Sequence, residues 1–67
     1  MIYEIGYDVG DGIVSVNMME GAETDVKKKA YAHANRFNYG VMYITPISRT
    51  TAEANRKKGM PYEKIIS

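Results

Sequence analysis

The side chains that could do chemistry in this 67-residue chain are few and far apart. His33 is the single histidine and there is no cysteine, so a disulfide or a thiolate metal site is excluded and an imidazole-built site is not expected. Glu4 and Asp8 share one face of a predicted strand. Four residues of strand rise nevertheless separate them by ~13 Å, too far for a glycosidase-like carboxylate pair.

His33 has no serine, cysteine or carboxylate at a spacing that indicates catalysis, and we interpret it as a semi-buried packing residue on a helix. The Gly10-Asp11-Gly12 segment connects two predicted strands and lacks the following helix that a phosphate-binding loop requires. The sequence therefore predicts a protein that is not an enzyme, with no catalytic site, no cofactor, no metal and no evident small-molecule substrate.

Charge is divided unevenly along the chain. Residues 1–21 carry four acidic and no basic side chains, whereas residues 22–67 carry all nine Lys and Arg and only four acidic side chains. One interpretation is that the two oppositely charged regions attract each other. The other is a basic surface for a polyanion, which requires the basic side chains to converge in space. The candidate polyanion contacts are Lys29, Arg36, Arg49, Arg56, Lys57 and Lys58.

The run Lys27-Lys28-Lys29 is a weaker signal than it looks. Successive helical residues are ~100° apart, so the three side chains fan over about 200° of the helix surface. We expect them to be mostly solvated side chains flanking an apolar stripe.

The elements that position these residues begin with a β-hairpin. Ile2 to Val9 alternates between apolar and polar positions, and a second alternating run follows the Gly10-Asp11-Gly12 turn. An Asp11-Gly12 turn pairs Val9 with Val14, and a Gly10-Asp11 turn shifts the pairing by two residues. Both registers predict the same buried face: Tyr3, Ile5, Tyr7, Val9, Val14, Val16 and Met18.

A helix and a third strand follow. Thr24 is the predicted N-cap, and the helix is expected to stop at Asn38-Tyr39-Gly40. Its apolar stripe consists of Val26, Ala30, His33, Ala34 and Phe37. A third strand over Val41–Ile44 would return beside the first, with Pro46 ending it or marking an edge, and Gly6 would lie in the central strand.

The predicted fold is a single α+β domain over residues 1–67. A β-hairpin, helix and strand (ββαβ) form a three-stranded antiparallel sheet of order 2-1-3, followed by a short polar helix and a C-terminal extended segment. The polar helix is predicted from the capping box Thr50-Thr51-Ala52-Glu53 to Lys58. Residues 62–66 form either a fourth strand or a docked tail.

The second face of this sheet is the expected functional surface. Ile2, Ile13 and Met19 would lie on it, and the polar helix has too few apolar residues to cover them. We therefore predict a small non-enzymatic binding or regulatory module that acts by protein–protein contact, as a homodimer or with another protein. The alternative is a nucleic-acid-binding protein that uses residues 49–58 and the lysines of the first helix.

The expected location is the cytoplasm, without membrane association. No apolar run approaches the ~20 residues of a membrane span, and Met1-Ile2-Tyr3-Glu4 lacks the basic start of a signal peptide. The small size and divided charge would suit an accessory protein of a phage or mobile element.

Overall fold

The computed structural model describes residues 1–66; Ser67, which the predicted domain includes, lies outside the described residues. The elements are β1 (Ile2–Gly10), β2 (Ile13–Glu20), α1 (Glu23–Phe37), β3 (Gly40–Ile47), α2 (Arg49–Lys57) and β4 (Tyr62–Lys64). Together they make a small α+β domain. Over residues 1–66, no helix is both long enough and apolar enough to cross a membrane.

The strands form one sheet of order β3-β1-β2-β4. β1 is central and pairs antiparallel with both β2 and β3, which confirms the predicted order of these three strands. The prediction of a three-stranded, purely antiparallel sheet is wrong, because β4 adds a parallel strand beside β2. Met18 N–H donates to Pro61 O at 2.8 Å and Ile65 N–H donates to Glu20 O at 2.8 Å, so the last segment pairs with the backbone edge of β2.

The hairpin contains a β-bulge that the sequence pattern did not reveal. Asp11 and Gly12 have positive φ angles of 56° and 75° and form the turn, with Gly10 opposite Ile13, as one predicted register required. Asp8 then lies opposite Val14, so Val9 is an extra residue in β1. The one-residue shift reverses the predicted faces of β2 relative to β1.

One core lies between the sheet and α1. Its buried side chains are Tyr3, Ile5, Tyr7, Met19, Val26, Ala30 and Ala34. Two of the three helical members are alanines, which allow the helix backbone to approach the sheet closely. Met19 therefore occupies the place that the predicted register gave to Met18.

The ends of α1 follow the predicted chemistry only in part. Asn38 ends the helix in the left-handed conformation with φ 58°, as expected for this residue type. The N-cap is Ala22 and not the predicted Thr24, which lies inside the helix. Glu23 and Asp25 lie in the first turn, where carboxylates interact favourably with the helix dipole.

A second core lies on the opposite face of the sheet, beneath α2. Its buried members are Ile2, Met18 and Ala52, and the partly buried Ile47, Met60 and Tyr62 pack against them. The helix begins before the predicted capping box, because the Ser48 hydroxyl accepts a hydrogen bond from Thr51 N–H at 3.1 Å. One buried alanine suffices here because residues after the helix complete the cluster.

Adjacent methionines therefore support different cores, and both should matter for stability. We expect Met18→Ala and Met19→Ala each to lower the free energy of unfolding by about 2–5 kcal/mol, since each removes a side chain that is at most 1% exposed. Urea denaturation checks this. Ile66→Ala, at a side chain that is 91% exposed, is the matched control and should change stability by less than about 0.5 kcal/mol. A Met18→Ala protein as stable as the control would contradict the second core.

Candidate protein-binding surface

The three residues predicted to form a protein interface do not lie together. Ile2 and Met19 are 5% and 1% exposed and belong to opposite cores, so neither is available to a partner in the folded monomer. Ile13 is 60% exposed at the hairpin turn. Strand alternation places its side chain on the α1 side of the sheet together with Met19, away from Ile2.

Part of the second sheet face is nevertheless bare, at residues other than the three predicted. α2 has nine residues, a length of ~13 Å, and it covers the end of the sheet that holds Ile2 and Met18. The remainder of this face, toward the hairpin turn, is called the open face here. Its residues, identified by pairing across the strands, are Glu4, Gly6, Asp8, Val14, Val16, Tyr43 and Thr45.

The centre of the open face is apolar. Val14 is 46% exposed, Tyr43 is 36% exposed and Val16 is half-buried. The Tyr43 ring lies directly over Gly6, where an added Cβ would overlap ring atoms. Gly6 is thus required for close approach of an aromatic ring from the neighbouring strand.

Tyr43 is also held by polar contacts. Its hydroxyl donates to Glu4 Oε2 at 2.5 Å, and Asn55 Nδ2 donates to Glu4 Oε1 at 3.4 Å, which links the open face to α2. The hydrogen bond to the Glu4 carboxylate raises the pKa of Tyr43 to about 12, because ionisation would remove the donated proton. The ring is therefore fixed in place and neutral at physiological pH.

The border of the open face is acidic. Glu4 and Asp8 lie on it and Asp11 is in the adjoining turn, while residues 1–21 contain no lysine or arginine. Asp8 Oδ1 accepts a hydrogen bond from Gly10 N–H at 2.9 Å, which orders this carboxylate beside the turn. The surface thus combines exposed apolar side chains with negative charge.

The predicted polyanion contacts are separated by the sheet. Lys29 and Arg36 are on α1, whose core lies on one face, whereas Arg49, Arg56, Lys57 and Lys58 belong to α2 or its C-cap on the other. Lys29 forms an ion pair with Glu63, and the Arg36 guanidinium lies 5.6 Å from the Phe37 ring centre. The six side chains therefore do not converge on one surface.

The arginines of α2 are engaged by neighbouring side chains. Arg49 Nη2 donates to Glu20 Oε2 at 2.9 Å, and the Tyr62 hydroxyl donates to Glu20 Oε1. The Arg56 guanidinium lies 4.9 Å from the centre of the Tyr62 ring. The Tyr62 hydrogen bond first, and then Arg49, lowers the pKa of Glu20. Exposed Lys57 and Lys58 lie at the C-terminal end of α2, where positive charge complements the helix dipole.

His33 lies in an aromatic cluster and is half-buried. Its ring centre is 4.9 Å from those of Tyr7 and Phe37, and Tyr39 stacks on Phe37 at 5.6 Å. This position fits the interpretation of His33 as a packing residue. Among residues 1–66 there is no group of three or more side chains that could hold a metal ion.

The chain matches no protein-family model, and searches of curated proteins and of solved structures also give no match. The open face is thus defined by its own geometry alone. The sequence contained its signal, since Val14 and Val16 alternate with polar residues and Gly6 interrupts a strand. The predicted register assigned both valines to a buried face, and so this surface was missed.

The contact between Gly6 and Tyr43 can be tested by a double-mutant cycle. Gly6→Ala should lower the free energy of unfolding by about 1–3 kcal/mol, because the new methyl group must displace the Tyr43 ring. In a Tyr43→Ala background the same change should cost less than half as much. Equal costs in the two backgrounds, measured by urea denaturation, would show that the ring does not restrict position 6.

The Glu20 contacts predict a specific acid sensitivity. The folded-state pKa of Glu20 is lowered, so its stabilising contribution is fully present above the unfolded pKa, near ~4.3, and is lost as pH falls through the folded value. In urea denaturation below that pH, the unfolding midpoint of Glu20→Gln should therefore fall less steeply with decreasing pH than the midpoint of wild type. Glu23→Gln is the control, because its exposed pair with Lys27 spans 3.9 Å. Indistinguishable acid profiles for wild type and Glu20→Gln would contradict the assignment.

Proposed function

We propose that the protein is a small non-enzymatic binding module that contacts another protein through its open face. The observation that carries the proposal is the exposure of Val14 and Tyr43 on a sheet face whose other half is covered by α2. A sheet face with apolar side chains at its centre is normally packed against something. The fixed Tyr43 ring suits binding, since ordering it again on association costs little conformational entropy.

The chemistry of the open face indicates the kind of partner. Glu4 and Asp8 surround the apolar centre, so the complementary surface carries apolar side chains together with lysine or arginine. Stacking two copies of the chain face to face would bring these carboxylates near their own counterparts. Like charges repel across such an interface, and this favours a different protein as the occupant.

The distribution of charge supports protein binding over nucleic-acid binding. On the α1 side of the sheet a phosphate backbone would meet only two of the six candidate basic side chains, and on the other side the four of α2 and its C-cap lie next to the acidic open face. Lys29 and Arg49 are also ion-paired with Glu63 and Glu20. Releasing them for phosphate would cost these contacts.

The test uses a photo-crosslinking residue at position 14, introduced into the full chain in the cells that naturally express it. We expect a crosslinked protein that is absent when the crosslinker replaces Lys28, an exposed residue of α1. With the identified partner, Val16→Arg should weaken binding at least ~10-fold, since it removes apolar contact and adds charge of the partner's sign. Asp8→Asn, which keeps the acceptor for Gly10 N–H, should reduce the salt dependence of binding.

The control variant is Ile66→Arg, which adds the same charge at an exposed apolar residue away from the open face. It should bind as tightly as wild type. Equal crosslinking at positions 14 and 28, or full affinity of Val16→Arg, would overturn the proposal. So would salt-sensitive binding to DNA or RNA oligonucleotides that is lost in the double variant Arg56→Ala, Lys57→Ala, because this would support the nucleic-acid alternative.

A further inference from the structure

We propose that the outer edge of β3 pairs with β3 of a second copy of this chain, so that two four-stranded sheets join into one across a two-fold axis. This surface differs from the open face, and the inference does not depend on the proposed function. β3 is the last strand on its side of the sheet, and within residues 1–66 no strand pairs with its outer edge. β3 is eight residues long, and its inner edge pairs with β1.

The edge is unusual in carrying no charge. From Phe37 to Ser48 the chain contains no Asp, Glu, Lys or Arg. Long edge strands of monomeric proteins are commonly protected from pairing by charged side chains. The absence of charge here also means that a two-fold axis through β3 would bring no like charges together within the strand pair, in contrast to the acidic open face.

Exposed apolar side chains lie on and beside this edge. Met42 is 56% exposed, and it is the extra residue at a bulge between Gly6 and Tyr7 of the partner strand β1. Tyr31 is 54% exposed. It follows Lys29 by two residues and therefore lies ~200° around α1 from the Lys29 side chain, which contacts Glu63 on β4. Tyr31 is therefore on the flank of α1 that faces β3, where it can contact the second copy.

Two features of β3 shorten the new ladder, since Pro46 has no N–H to donate and the Met42 bulge interrupts the regular spacing of backbone groups. The limit to two copies comes from the symmetry of the pairing and from the opposite edge of the sheet. Pairing by a two-fold axis uses the β3 edge of both copies and leaves β4 at the outer ends. β4 has only three residues, which is a poor template for further addition.

The experiment is sedimentation velocity on the full chain over a wide concentration range, with circular dichroism to verify folding. Wild type should show a concentration-dependent dimer. Met42→Lys, at an exposed side chain, should raise the dimer dissociation constant at least ~10-fold by placing charge on the edge. Ile66→Lys is the matched control and should leave the dimer unchanged. Tyr31→Glu is a second variant that tests the helix flank without altering the strand.

Amide hydrogen exchange adds an independent readout. Amides of β3 should exchange more slowly in dimeric wild type than in Met42→Lys, while amides of α2 should not differ between the two proteins. A wild type that stays monomeric at high concentration would overturn the proposal, as would a dimer that survives Met42→Lys and dissociates with Val14→Arg. The latter result would place the second copy on the open face and contradict the partner chemistry proposed for that surface.

Discussion

The arrangement of the whole domain depends on one extra residue in the central strand. Val9 has no opposite residue in β2, and this β-bulge sets which side chains of β2 share a face with those of β1. As a result, Met18 shares a sheet face and a core with Ile2, and Met19 shares the other face and the other core with Tyr3. Because adjacent residues in a strand point in opposite directions, the two methionines give each face of the sheet one large buried side chain.

A shortage of apolar side chains explains the shape of the surface. α1 contributes one valine and two alanines to its core, and α2 contributes a single alanine. A nine-residue helix covers only one end of a sheet whose strands β1 to β3 have eight or nine residues. The domain therefore completes both cores without covering the hairpin end or the outer edge of β3, where Ile13, Val14, Met42 and Tyr43 are left exposed.

Local signals in the sequence predicted most of the elements. Alternation indicated the hairpin, Gly10-Asp11-Gly12 indicated its turn, and Asn38 indicated the end of α1. Three features depend on contacts that no local pattern encodes. The bulge at Val9 is invisible to an alternation that continues on both sides of it. The pairing of β4 with β2 joins residues more than forty positions apart, such as Met18 and Tyr62.

The third feature concerns the charged side chains. Helical periodicity placed Lys29 on a flank of α1 correctly, but its partner Glu63 and the Glu20 partner of Arg49 come from distant strands. The sequence alone permits a polyanion surface, because it does not show that these basic side chains are paired with carboxylates. The open face is not predicted from the sequence, because a pairing register that is wrong by one residue assigns Val14 and Val16 to the interior.

The second core has a consequence for local unfolding of the domain. Apart from the partly buried Ile65, the α1 core uses residues up to Ile44. The second core, in contrast, needs Met60 and Tyr62 to enclose Ile2 and Met18. Detachment of the segment after α2 would therefore break the pairing of β4 with β2 and expose Ile2 and Met18, while most of the α1 core stays packed. The two faces of one sheet thus differ in the part of the chain that keeps them closed.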